Sequence, residues 1–155
     1  MKRVKRWTAD LVILAVSSVL VVSGVSKALD ATGFAATLAS HGRVPASLSR
    51  QAAIGVMAME LACGMAAIAL LPARSRLTRA AVVLLAAMYA AIGGYATLMT
   101  VFPPARPVGC GCFWGASPSA DWSIIAIRNA GVAAVVLLAV RWMSSGRTDQ
   151  RAACA

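Results

Sequence analysis

Charge is scarce in this chain. Only 13% of its 155 residues are Asp, Glu, Lys or Arg, against roughly 25% in soluble domains. Fifteen basic and five acidic side chains cannot coat a domain of this size with polar surface, which excludes an ordinary soluble enzyme. Histidine occurs once, as His41 in a loop, where exposure rather than catalysis is expected. Aromatic residues make up 6% and never interleave with a basic stripe. The net charge of +10 therefore does not describe a nucleic-acid face, which needs cations clustered along a phosphate path. Internal repeats are lacking too.

What is present is apolar. The hydrophobic fraction is 60% and the mean hydropathy +0.77, which excludes a disordered chain and points to an integral membrane protein. Four apolar stretches run over Leu11–Ser26, Gln51–Ala73, Ala80–Phe102 and Trp122–Val140. A helix needs about 20 residues to cross the ~30 Å hydrocarbon core. The last three suffice, and Trp7 and Lys27 extend the first by sitting at the two interfaces. The fold class expected is all-α: an integral membrane four-helix bundle with spans at 8–27, 51–73, 80–102 and 122–142 and a frayed cytoplasmic tail over 144–155. A signal peptide is the rival reading of the first stretch. Ser26-Lys27-Ala28 stands where a small-residue cleavage site would fall, so the stretch is read as a helix.

Basic residues fix the orientation. With the N-terminus inside, Lys2, Arg3, Lys5, Arg6, Arg74, Arg76, Arg79, Arg141, Arg147 and Arg151 are cytoplasmic. Lys27, Arg43, Arg50 and Arg106 are outside, and Arg128 lies within a span. Ten against four places both termini in the cytoplasm and the protein in the plasma membrane. Two longer loops then face outward. The first carries Asp30 as an N-cap, Phe34 and Leu38 one turn apart, and Gly42 as a stop, predicting a short interfacial helix before Pro45. The second, Pro103 to Asp121, holds four prolines and three glycines and cannot be helical throughout.

That second loop contains Cys110-Gly111-Cys112. A Cys-x-Cys disulfide closes a very small ring, constrains little and is readily reduced, which favours thiol–disulfide exchange over stapling. Gly109 and Gly111 leave room for a partner's backbone, and Arg106 favours a thiolate. Soft-metal capture by the same two sulfurs and a passive turn disulfide are the competing readings. Cys63, beside Gly64 in the second span, reads as a small apolar packing residue, and Cys154 as incidental.

Two charges fall inside spans. Glu60 is nine residues from Gln51 and Arg128 seven from Asp121, so both lie about 10–13 Å below the outer surface at ~1.5 Å per residue. Matched depths predict that they pair, with Lys27, Asn129, Ser23 and Ser26 joining one polar cluster. Two readings stay open: a proton or quinone-head-group site beneath the loop, or a buried ion pair that sets helix register.

Taken in order, Ser23-Gly24-Val25-Ser26-Lys27, Asp30, Phe34, Pro45, Glu60 with Gly64, Cys110-Gly111-Cys112-Phe113 and Arg128-Asn129 resemble the methylamine utilisation protein MauE family, within the DoxX-like group of four-helix membrane proteins. The resemblance covers roughly Leu11 to Val140. Trp114 departs from it, standing where the family commonly continues Cys-Gly-Cys-Phe directly into Gly. It implies a redox-associated membrane protein that helps mature the disulfide-rich small subunit of methylamine dehydrogenase. On this reading Cys110 and Cys112 exchange disulfides with an extracytoplasmic thioredoxin-like partner, while Glu60, Arg128, Asn129 and Lys27 shape a supporting intramembrane site. A membrane quinone is the candidate cofactor. A membrane carrier for a soft metal or small thiol compound, and a purely structural assembly factor, are the alternatives.

Overall fold

A computed structural model of the chain describes residues 2–73, 75–104, 109 and 121–152, with side chains at 4, 6–73, 75–104, 109 and 121–143. Every regular element in it is helical: α1 (Lys2–Leu29), α2 (Ala31–Ser40), a 3₁₀ turn (Ala46–Leu48), α3 (Ser49–Leu70), α4 (Arg76–Val101) and α5 (Trp122–Ala152). Four of these helices are long and apolar enough to span a membrane, over Arg6–Leu29, Ala46–Leu70, Arg76–Val101 and Trp122–Met143. The second and third begin several residues earlier than hydropathy alone places them: a 3₁₀ turn after Pro45 leads into α3, and Ser75 caps α4. Helix α5 continues to Ala152, through the stretch expected to be a frayed tail. No proline interrupts it, and Arg147, Gln150, Arg151 and Ala152 are all good helix formers.

Local hydrogen bonds explain the boundaries. Asp30 Oδ1 accepts from Gly33 N at 3.0 Å, starting α2, and Gly42 at φ 68° ends the turn that follows it. Asp121 Oδ1 accepts from the amides of Ser123 and Ile124 at the head of α5. Ser75 and Thr78 form a reciprocal capping box at the head of α4. Thr78 Oγ1 also donates to Leu70 O at 2.6 Å, tying the end of α3 to the start of α4 across a tight turn.

The spans run up-down-up-down, and contacts place them around the bundle in the order α1, α3, α4, α5. Two pairs are intimate, α1 with α3 and α4 with α5. Glycine permits this closeness. A Cβ on Gly64 would stand 2.6 Å from Val21 Cγ2, and one on Gly93 would touch the backbone of α5 at Ala130 and Ala126. Helices α3 and α5 face each other across the bundle, as do α1 and α4. Tyr89 bridges the second diagonal, its hydroxyl donating to Val16 O at 2.9 Å. Ile13, Leu20, Leu85, Ala86 and Val136 are among the buried core residues. The short helix α2 folds down onto α3, where Phe34, Ala35 and Leu38 pack against Ala53 and Met57.

Polarity is inverted relative to a soluble bundle. Leu14, Val22, Ile54, Met65, Leu84, Ile127 and Leu137 are exposed, while Ser17, Lys27, Glu60, Thr78 and Asn129 are buried. An apolar exterior, with the few polar side chains of the spans turned inward, is the arrangement that hydrocarbon solvent favours.

Candidate functional site

The polar interior gathers at the end of the bundle where α1 and α4 finish and α3 and α5 begin. Lys27, in the last turn of α1, is 7% exposed, and Glu60 on α3 is 1% exposed. Lys27 Nζ donates to Glu60 Oε1 and to Ser23 Oγ, the latter at 2.8 Å. The ammonium also lies 5.3 Å from the centre of the Phe34 ring of α2. Glu60 Oε2 is buried and has no hydrogen-bond partner among the described residues.

The expected pairing of Glu60 with Arg128 is therefore corrected: the partner of Glu60 is Lys27. Gly24 and Gly64 let α1 and α3 approach closely, whereas Arg128 sits on α5, diagonally opposite α3. Equal depth did not imply equal azimuth. Arg128 is exposed. Asn129, 3% exposed, donates from Nδ2 to Ile125 O at 2.7 Å.

All four of the expected supporting residues, Lys27, Glu60, Arg128 and Asn129, line one cavity of about 360 Å³. Its other walls are mainly aliphatic and aromatic, from Leu20, Val56, Met88 and Ile92 to Phe34, Tyr89, Tyr95 and Trp122.

His41 belongs to this cavity, not to the exposed surface expected of it. It is 2% exposed. Its burial follows from α2 packing onto α3, which carries the end of the short helix in towards α4 and α5. Nε2 lies 3.0 Å from Gly109 O and Nδ1 2.8 Å from Tyr95 Oη. A carbonyl only accepts, so Nε2 carries the proton and the Tyr95 hydroxyl donates to Nδ1. Trp122 completes the group, its ring edge-on to His41 at 5.2 Å between centres. Burial lowers the His41 pKa, and its hydrogen bond to Gly109 O opposes this less strongly, so the neutral ring is favoured. Arg43, two residues on, places its guanidinium 5.6 Å from the centre of the Phe102 ring. Sequence reasoning missed the His41–Tyr95–Trp122 cluster, since single polar or aromatic residues on three separate elements leave no local pattern.

Cys110 and Cys112 lie outside the described residues, as do Arg106 and Cys154. Gly109, whose carbonyl His41 holds, is the residue covalently joined to Cys110. Cys63 is half-buried on α3 beside the close α1 contact, as a packing residue would be. Among the described residues, no three His, Cys, Asp or Glu side chains come together as a metal site.

Comparison with known proteins identifies one family. The family described as "Methylamine utilisation protein MauE" matches residues 5–142. No curated protein matches the chain, and no solved structure does.

Proposed function

This chain belongs to the MauE family, a membrane-protein family linked to methylamine utilisation, and from that premise we propose that it carries out thiol–disulfide exchange through Cys110 and Cys112. In this reading both termini are in the cytoplasm, the chain lies in the plasma membrane, and the cysteines face the oxidising side. A thioredoxin-like extracytoplasmic protein is the partner, and the disulfide-rich subunit of an amine-oxidising enzyme is the downstream beneficiary. A thiolate of the reduced partner attacks one sulfur of the Cys110–Cys112 disulfide, forming a mixed disulfide and freeing the other cysteine as a thiolate. The partner's second thiol then resolves the mixed bond and leaves with the disulfide, while Cys110 and Cys112 remain as a dithiol.

The observation that supports this best is the His41 hydrogen bond to Gly109 O. It anchors the chain one residue before the first cysteine to an aromatic cluster at the wall of the largely apolar cavity. A purely passive turn has no need of such an anchor. Cys110→Ser and Cys112→Ser should each abolish exchange with a reduced thioredoxin-like protein, and in one of them the remaining thiolate should attack the disulfide of the oxidised partner and hold it as a mixed disulfide, freeing the partner's other sulfur as a thiolate. Alkylation across a glutathione series should give a potential above the roughly −300 mV of reduction-resistant disulfides. Full exchange activity in either variant, or a pair that stays oxidised at strongly reducing poise, would reduce the motif to a turn.

A further inference from the structure

Arg128 is a cation without an anion. It sits in the membrane-spanning part of α5, about 10 Å along the helix from Asp121 at ~1.5 Å per residue. Among the described residues it makes no hydrogen bond or ion pair. A guanidinium cannot shed its charge, so apolar surroundings oblige it to find a counter-ion. The chain has none to give. Its sequence holds five acidic side chains in all, and the loop over 105–120 contains none of them. Glu60 is taken by Lys27. Asp30 and Asp121 accept from backbone amides at the heads of α2 and α5. Asp10 and Asp149 lie towards the other end of the bundle, near the start of α1 and the end of α5.

The same residue marks an opening. Arg128 lines the cavity of about 360 Å³ and is nevertheless exposed, and Val19 on α1 shares both properties. The cavity thus opens between α1 and α5, towards lipid, with the cation at its mouth. Inside, the walls are largely apolar, with Leu20, Leu38, Val56, Met88 and Ile92 among them. Lys27 and Glu60 cancel one another there, which leaves Arg128 as the uncompensated charge of the lining. The volume falls within the ~300–1,000 Å³ of small-molecule sites.

A small hydrated anion would satisfy Arg128 but leave these walls uncovered. A neutral hydrocarbon would cover the walls and leave Arg128 unmet. The guest that suits both is an apolar body bearing one negative charge. A carboxylate matches the guanidinium best, because its two oxygens meet the planar fork side by side. A membrane phospholipid fits less well, since two chains share a phosphate that stays at the surface, about 10 Å above Arg128.

We propose that the cavity binds a single-chain lipid carboxylate, its chain between the helices and its carboxylate on Arg128. The site uses neither Cys110 nor Cys112 and stands apart from the exchange reading.

The test is equilibrium binding of tritiated dodecanoate to the full chain in phosphatidylcholine nanodiscs, with uptake by empty nanodiscs subtracted. At about pH 8 the carboxyl group is ionised. Uptake should saturate at one dodecanoate per chain. Arg128→Gln should weaken it about tenfold or more, because a charge-assisted bond is lost. Methyl dodecanoate, which keeps the chain and loses the charge, should compete about tenfold or more weakly with the wild-type protein. Ala52→Phe narrows the cavity from α3, leaves Arg128 in place, and should abolish binding. Uptake that never saturates, or that survives Ala52→Phe unchanged, would mean partition into lipid and would overturn the proposal. Equal competition by the ester, or unchanged affinity in folded Arg128→Gln protein, would overturn it too. Stoichiometric displacement of dodecanoate by phosphatidylglycerol in the nanodisc would make the occupant a bulk phospholipid, with the same consequence.

Discussion

Lys27 and Glu60 show how strongly one residue's role depends on its partner. Each is nearly inaccessible, and each would be an isolated charge in an apolar interior without the other. Removing one, as in Lys27→Met or Glu60→Leu, should cost roughly 3–5 kcal/mol, and the double replacement should recover much of it. A double-mutant cycle of unfolding in detergent checks this, and additive losses would deny the coupling. His41 makes a different prediction. Because burial lowers its pKa from 6.5, the unfolded chain takes up the ring's proton at a higher pH than the folded protein does. The His41 contribution to stability should be complete above about pH 6.5 and decline as the pH falls below it, until the folded ring also protonates. Detergent unfolding followed from about pH 8 to about pH 5 should lose part of its acid slope in His41→Gln. Glutamine keeps one donor and one acceptor but does not titrate in that range.

Between elements, close approach rather than side-chain bulk holds α1 against α3. Gly64 is the contact point, since an added Cβ would meet Val21 Cγ2 at 2.6 Å and Ser17 O at 3.0 Å. Gly64→Ala should force the helices apart and cost about 1–3 kcal/mol. Gly55→Ala, on the same helix with open space around it, should be neutral or slightly stabilising. Thermal unfolding of the two variants side by side separates packing from helix propensity. The same interface carries Lys27 and Glu60, so Gly64→Ala should also loosen the cavity. The short helix α2 was legible from Asp30, Phe34, Leu38 and Gly42, because caps and one-turn spacings are local. Its descent onto Ala53 and Met57 was not, because the partner surface lies on another helix.

At the scale of the whole molecule, an apolar exterior encloses a mainly apolar core with a buried polar cluster beside the cavity that His41, Tyr95 and Trp122 line. The proposed topology puts Cys110 and Cys112 on one side of the membrane and Cys154 on the other. In intact cells expressing Cys63→Ala protein, a membrane-impermeant maleimide should label reduced Cys110 and Cys112 and spare Cys154. Labelling of Cys154 with protection of the pair would reverse the orientation, and with it the compartment in which exchange is proposed.

Much of this was determined by sequence alone. The number of spans follows from hydropathy, the start of α2 from Asp30, and the shared level of Lys27, Glu60, Arg128 and Asn129 from the fixed rise of about 1.5 Å per residue. Those quantities are set along one dimension, by neighbours in the chain. Azimuth is not. Which helix stands beside which decided that Glu60 meets Lys27 and that Arg128 faces it across the bundle. The same packing drew His41 inward to join Tyr95, Trp122 and the Gly109 carbonyl. Such pairings join residues 33 to 81 positions apart, and only the lateral order of packed helices brings them together.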